Sequence, residues 1–87
     1  MTPEYTRAEW DAYCDWLRQR TTDRAGFESN VFTLVKVAGG WMHDNGHRGV
    51  QLTMRKVIAL SRSAGYEVKS AGGARRRVVV GLALRPR

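Results

Sequence analysis

The chain predicts a small α+β domain of three helices followed by a C-terminal β-hairpin. Three observations lead there. Apolar residues recur at spacings of three and four through three stretches between residues 7 and 64, and the pattern then changes to alternation on either side of a glycine-rich turn. With 87 residues, 43% of them hydrophobic, the chain has room for a single core, so residues 1–87 form one domain with 1–5 and 85–87 frayed.

The first helix spans about Arg7 to Gln19. Thr6 can cap the free amides of its first turn while Glu9 reaches back, the reciprocal capping-box arrangement. Trp10, Tyr13, Cys14 and Leu17 share one stripe. Trp16 falls off that stripe and is expected at the rim of the core or in a protein contact. The polar, unperiodic stretch from Arg20 to Gly26 reads as a connection.

The second helix runs within Ser29 to Asn45, with Ser29 as its cap and Asn45-Gly46 as its stop. Val31 to Val37 is β-branched enough to suit a short strand, but Val31, Leu34, Val35, Ala38, Trp41 and Met42 hold a helical period for longer than an ordinary strand. Gly39-Gly40 costs this helix roughly 1 kcal/mol per residue relative to alanine. The third helix, about Leu52 to Ala64, ends at Gly65, where a left-handed residue is wanted. Met54, Val57, Ile58, Leu60, Ser61 and Ala64 share its core face, while Arg55, Lys56, Ala59, Arg62 and Ser63 cluster opposite. In the hairpin, Tyr66 and Val68 alternate with Glu67 and Lys69, residues 70–74 turn, and Val78, Val80, Leu82 and Leu84 alternate in the returning strand, which opens with Arg75-Arg76-Arg77.

The formal charge of +7 is unevenly distributed: residues 1–46 carry a net −2 and residues 47–87 a net +9. A basic half on a near-neutral half points to a polyanion, above all nucleic acid, with a merely solvated basic surface as the alternative. Three consecutive arginines would repel one another in an unliganded hairpin, which suggests a counter-charge there.

Other chemistries find little support. Cys14 is the sole cysteine, so a disulfide framework or cysteine zinc cluster is not expected. His43 and His47 stand four apart, but Asn45-Gly46 breaks the helix between them and no third ligand is near, so no metal is expected. No catalytic triad, carboxylate pair or phosphate-cradling glycine loop is visible, and neither an enzyme nor a cofactor is expected. No apolar run approaches the ~18 residues of a membrane span, and the N-terminus lacks the pattern of a signal peptide. The expectation is a cytoplasmic protein with no membrane association.

Residues 50–87 resemble a known family. Arg62-Ser63-Ala64-Gly65-Tyr66-Glu67-Val68, followed by Gly72-Gly73, a basic strand and Val80-Gly81-Leu82, looks like the winged-helix domain at the C-terminal end of phage and plasmid primase-helicases. The likeness covers nearly half the chain and is one of shape and turn residues. The chain lacks any ATPase or primase part, so no enzymatic activity is implied. What the resemblance implies is a winged helix-turn-helix: a recognition helix at about 52–64, a basic wing at about 69–77, and a phage or mobile-element protein, nucleoid-associated in a bacterial host, acting in transcription regulation, recombination or replication.

On that reading double-stranded DNA is the partner. Arg55, Lys56, Ala59, Arg62 and Ser63 would face the major groove, where arginine can bond a guanine edge twice and alanine can touch a thymine methyl. Lys69, Arg75, Arg76 and Arg77 would follow the backbone or the adjacent minor groove. About six phosphate contacts would give log K a slope near −5 against log salt. The alternative is a protein-interaction module that inhibits or recruits a host protein, with Trp16 and Phe32 as anchors and an exposed Trp16 also able to support a homodimer. RNA binding is disfavoured because Tyr66 is the only aromatic in the basic half.

Overall fold

The computed structural model describes residues 4–47, 49–70 and 76–85. Their element order is α1 (Arg7–Arg20), β1 (Thr21–Asn30), α2 (Val31–Asp44), α3 (Met54–Ser63), β2 (Glu67–Ser70) and β3 (Arg77–Leu84). The strands form one antiparallel sheet in the order β1-β3-β2. The α+β class and three helices therefore stand, but the order differs from helices followed by a hairpin: a strand separates α1 from α2.

Most of that strand falls in the stretch Arg20 to Gly26 that reads as a connection, because the sequence Thr-Thr-Asp-Arg-Ala-Gly-Phe-Glu-Ser-Asn has no apolar alternation. Its strand character comes from its partner. β1 lies at the sheet edge and pairs with β3, Thr21 opposite Leu84 and Asn30 opposite Val78, while only Thr21 and Ser29 are buried. An edge strand satisfied by backbone pairing needs no apolar face.

Locally, much of the sequence logic holds. The Thr6–Glu9 capping box forms in both directions. Val31, Leu34, Ala38 and Met42 are buried on α2, and Val57, Leu60 and Ser61 on α3. Gly65 follows α3 with φ +96°. The cap of α2, however, is Asn30, whose side chain accepts from the Phe32 amide. Ser29 belongs to β1, and its hydroxyl donates to the Leu82 carbonyl at 2.5 Å.

Two corrections concern the core. Trp16 is fully buried beside Tyr13, with ring centroids 5.5 Å apart, because the inward row of α1 is Glu9, Ala12, Tyr13 and Trp16. Of the expected stripe Trp10, Tyr13, Cys14 and Leu17, Tyr13 is fully buried, while Trp10, Cys14 and Leu17 lie only partly buried on the flank of that row. In β3 the expected alternation breaks at Gly81, whose φ is +89°. Val79 and Leu82 point fully inward, Val78 and Ala83 are also buried, and Val80 and Leu84 are only partly covered. Opposite Gly81, β1 slips register between Asp23 and Glu28, which turns the inward face of β3 by one residue.

Tyr5, expected to fray, stacks on Trp10 at 5.9 Å and donates to the Ser63 hydroxyl, while the Arg85 amide donates to the Arg20 carbonyl. The expected turn at 71–74 and the end of the chain at 86–87 lie outside the described residues.

Candidate nucleic-acid interface

The outward face of α3 and the start of β3 enclose an open groove of about 430 Å³ lined by Glu4, Met54, Arg55, Ile58, Arg62 and Arg77. α3 places its part of this site by simple periodicity. Thr53 caps it by accepting the Lys56 amide, Val57, Leu60 and Ser61 anchor it in the core, and Arg55 and Arg62, seven residues apart, therefore emerge on the same outer side. At 1.5 Å per residue the two α-carbons lie about 10 Å apart along the helix axis. Ala59 is partly covered between them, so the helix is narrow at its middle.

Pairing carries Arg77 to the same place. Ser70 pairs with Arg77 and Glu67 with Val80, so the β2–β3 ribbon rises directly from the end of α3. The expected division into a helix contribution and a separate wing contribution is thus bridged: Arg77 lines the same groove as Arg55 and Arg62. Among the described residues, Arg55, Arg62, Arg76 and Arg77 are exposed and have no carboxylate within 4.0 Å. Arg75 lies outside the described residues.

Three other expected contacts are engaged within the chain. The Lys56 ammonium sits 2.5 Å from the Glu9 carboxylate, whose side chain is 5% exposed. Burial pushes the Glu9 carboxyl up, but bonds from the Lys56 ammonium and the Thr6 amide outweigh it and hold the pKa below the ordinary value. Lys69 pairs with Glu28 at 2.7 Å across β3, and that carboxylate raises the lysine's pKa. Ser63 accepts from Tyr5. Each lysine reads as a free cation in sequence because its carboxylate lies 47 or 41 positions away and only the fold brings the pair together.

The protein-contact candidates separate. Trp16 is 0% exposed and can anchor neither a partner nor a dimer in this fold. Phe32 is 53% exposed, with the Lys36 ammonium 4.7 Å from its ring centre. Phe27, which the sequence reading passed over, is also exposed and lies under the Arg24 guanidinium.

A second hollow, about 500 Å³, lies between α1, β1 and Tyr66. Its polar groups are already bonded: Arg18 to Asp15, Tyr66 to Asp23, and the Arg85 Nε to the Thr21 carbonyl. Burial raises the Cys14 thiol at its wall, with Asp11 adding to the effect, so that group is a poor nucleophile. His47 stacks on Trp41 at 5.7 Å, and among the described residues no three His, Cys, Asp or Glu side chains are grouped to hold a metal. No helix among these residues is long and apolar enough to cross a membrane.

No family model, curated protein or solved structure matches this chain, so the reading of the groove rests on its own geometry.

Proposed function

We propose that the chain is a winged helix-turn-helix protein that binds double-stranded DNA, with α3 entering the major groove and the β2–β3 ribbon lying against the adjoining backbone. The convergence of Arg55, Arg62 and Arg77 on one groove carries this reading. Arginines that have no carboxylate within 4.0 Å among the described residues, brought together from two elements in a groove whose one acidic neighbour is Glu4, suit a phosphate backbone and guanine edges. The spacing of Arg55 and Arg62 matches about three base-pair steps of ~3.4 Å, and Ala59 between them allows close approach. The order α1-β1-α2-α3-β2-β3 with the sheet order β1-β3-β2 supports the winged-helix assignment by placing a hairpin beside the last helix. The biological setting in this proposal is regulation of transcription, or an accessory role in replication or recombination.

The test is retardation of random-sequence duplex at ~150 mM salt. Arg55→Glu/Arg62→Glu is expected to abolish binding, and Arg77→Ala to weaken it. Binding that survives the double reversal would remove α3 as the reading element. Failure of the unaltered chain to retard duplex, together with specific capture of a host protein, would favour the interaction-module reading.

A further inference from the structure

We propose that the outward face of α2 is a self-association surface, on which a second copy of this chain packs with the two helices antiparallel and crossing at Gly40. The starting point is an unexplained cost. Gly39 and Gly40 stand in the body of a 14-residue helix, where each destabilises by roughly 1 kcal/mol relative to alanine. Nothing among the described residues demands them. A Cβ built on either meets no atom of the described residues within 4 Å, and neither has a positive φ.

What glycine supplies here is an open helix surface. At about 100° per residue, Gly40 points directly away from the buried row Val31, Leu34, Ala38 and Met42. Thr33, Lys36 and Asp44 surround it, all exposed, and Phe32 and Val37 flank the patch at 53% and 39% exposure. A groove of about 490 Å³ beside Gly40 is lined by Lys36, Val37, Trp41, Asp44 and the adjoining Asn45, with Arg20 at the end of α1 on its other side. Without Cβ atoms at the crossing, two helix axes can approach at or below the usual separation of about 8–10 Å.

The charges select a second copy as the occupant. Lys36 and Asp44 stand four residues before and four after Gly40. In an antiparallel pair related by a two-fold axis at Gly40, the Lys36 of each copy therefore faces the Asp44 of the other. Among the described residues neither has an oppositely charged Lys, Arg, Asp or Glu side chain within 4.0 Å, and Arg20 lines the same groove without pairing to Asp44 at that distance. The Lys36 ammonium lies over Phe32, and Asp44 has only the exposed His43 ring nearby, at 3.6 Å. A parallel pairing would oppose like charges and is disfavoured. The surface is separate from the arginine groove on α3 and does not depend on DNA binding.

Sedimentation of the full chain over a range of concentrations, without nucleic acid, tests the proposal. The unaltered chain is expected to dimerise reversibly. Lys36→Glu and Asp44→Lys are each expected to weaken association by about tenfold or more, because each places like charges across the axis twice. The double variant Lys36→Glu/Asp44→Lys restores complementarity and is expected to recover the dimer. Gly40→Leu is expected to abolish association while raising the melting temperature, since leucine is the better helix former. A chain that stays monomeric throughout, or a double reversal no better than the single ones, overturns the proposal.

Discussion

The Lys56 ammonium lies 2.5 Å from the Glu9 carboxylate and ties the capping box of α1 to the first turn of α3. Glu9 thus serves two elements: it accepts the Thr6 amide at 2.7 Å and holds α3 against α1. Lys56→Met is expected to leave Glu9 buried without its partner and to cost about 2–3 kcal/mol, below the ~3–5 kcal/mol of a fully enclosed pair because one side of Lys56 meets water. Urea unfolding measures this loss, and a Lys56→Met midpoint equal to that of the unaltered chain would count against the pair.

The same carboxylate gives stability a pH dependence. Its pKa is lowered in the folded chain, so the unfolded chain binds its proton more readily. The contribution is therefore complete above the unfolded carboxylate range and is lost as pH falls through the lower folded value. Thermal melts from pH 7 to pH 3 are expected to fall steeply in this window for the native sequence and less steeply for Glu9→Gln.

Inside the core, the Tyr13 and Ser61 hydroxyls share a 2.7 Å hydrogen bond between α1 and α3. Burial pushes the Tyr13 phenol up to about 12, with Ser61 partly opposing the shift. Ser61→Ala is expected to cost about 1–3 kcal/mol by orphaning a buried hydroxyl. Tyr13→Phe/Ser61→Ala is expected to cost less than the two single changes together, and a double-mutant cycle reads the coupling directly.

Salt dependence provides a count of the arginines in contact. With Lys56 and Lys69 paired internally, the proposed interface keeps four described arginines, Arg55, Arg62, Arg76 and Arg77. The slope of log K against log salt should then be no steeper than about −3.6, the value if all four meet phosphate, and so shallower than the −5 expected from six cations. Arg76→Ala/Arg77→Ala is expected to flatten the slope by about 2 while preserving any base preference set by α3, as binding isotherms at several salt concentrations would report.

Trp16 shows how far periodicity reaches. Its indole Nε1 is buried with no partner among the described residues, so this large ring occupies the core despite an unmet donor. The stripe traced through Trp10, Tyr13, Cys14 and Leu17 shares Tyr13 with the inward row Glu9, Ala12, Tyr13 and Trp16 but otherwise lies one position to its side. The inward row includes an acid, Glu9, whose partner Lys56 stands 47 positions away. The same applies to β3, where Gly81 and the slipped register opposite it redirect the alternation.

By itself, the sequence determined what local physics controls: the Thr6–Glu9 cap, the periods of α2 and α3, the stop at Gly65, the two faces of α3 and the concentration of positive charge after residue 46. Tertiary structure alone decided what depends on distant partners. The polar stretch Thr21–Asn30 became a strand because β3 offered it a backbone edge to pair with, and pairing of that kind leaves no apolar signature. Lys56 and Lys69 were given carboxylate partners by Glu9 and Glu28, while Arg77 was brought to the groove of Arg55 and Arg62. Charge can be counted along a chain, but whether a cation is satisfied depends on which carboxylates the fold places within a few ångströms of it.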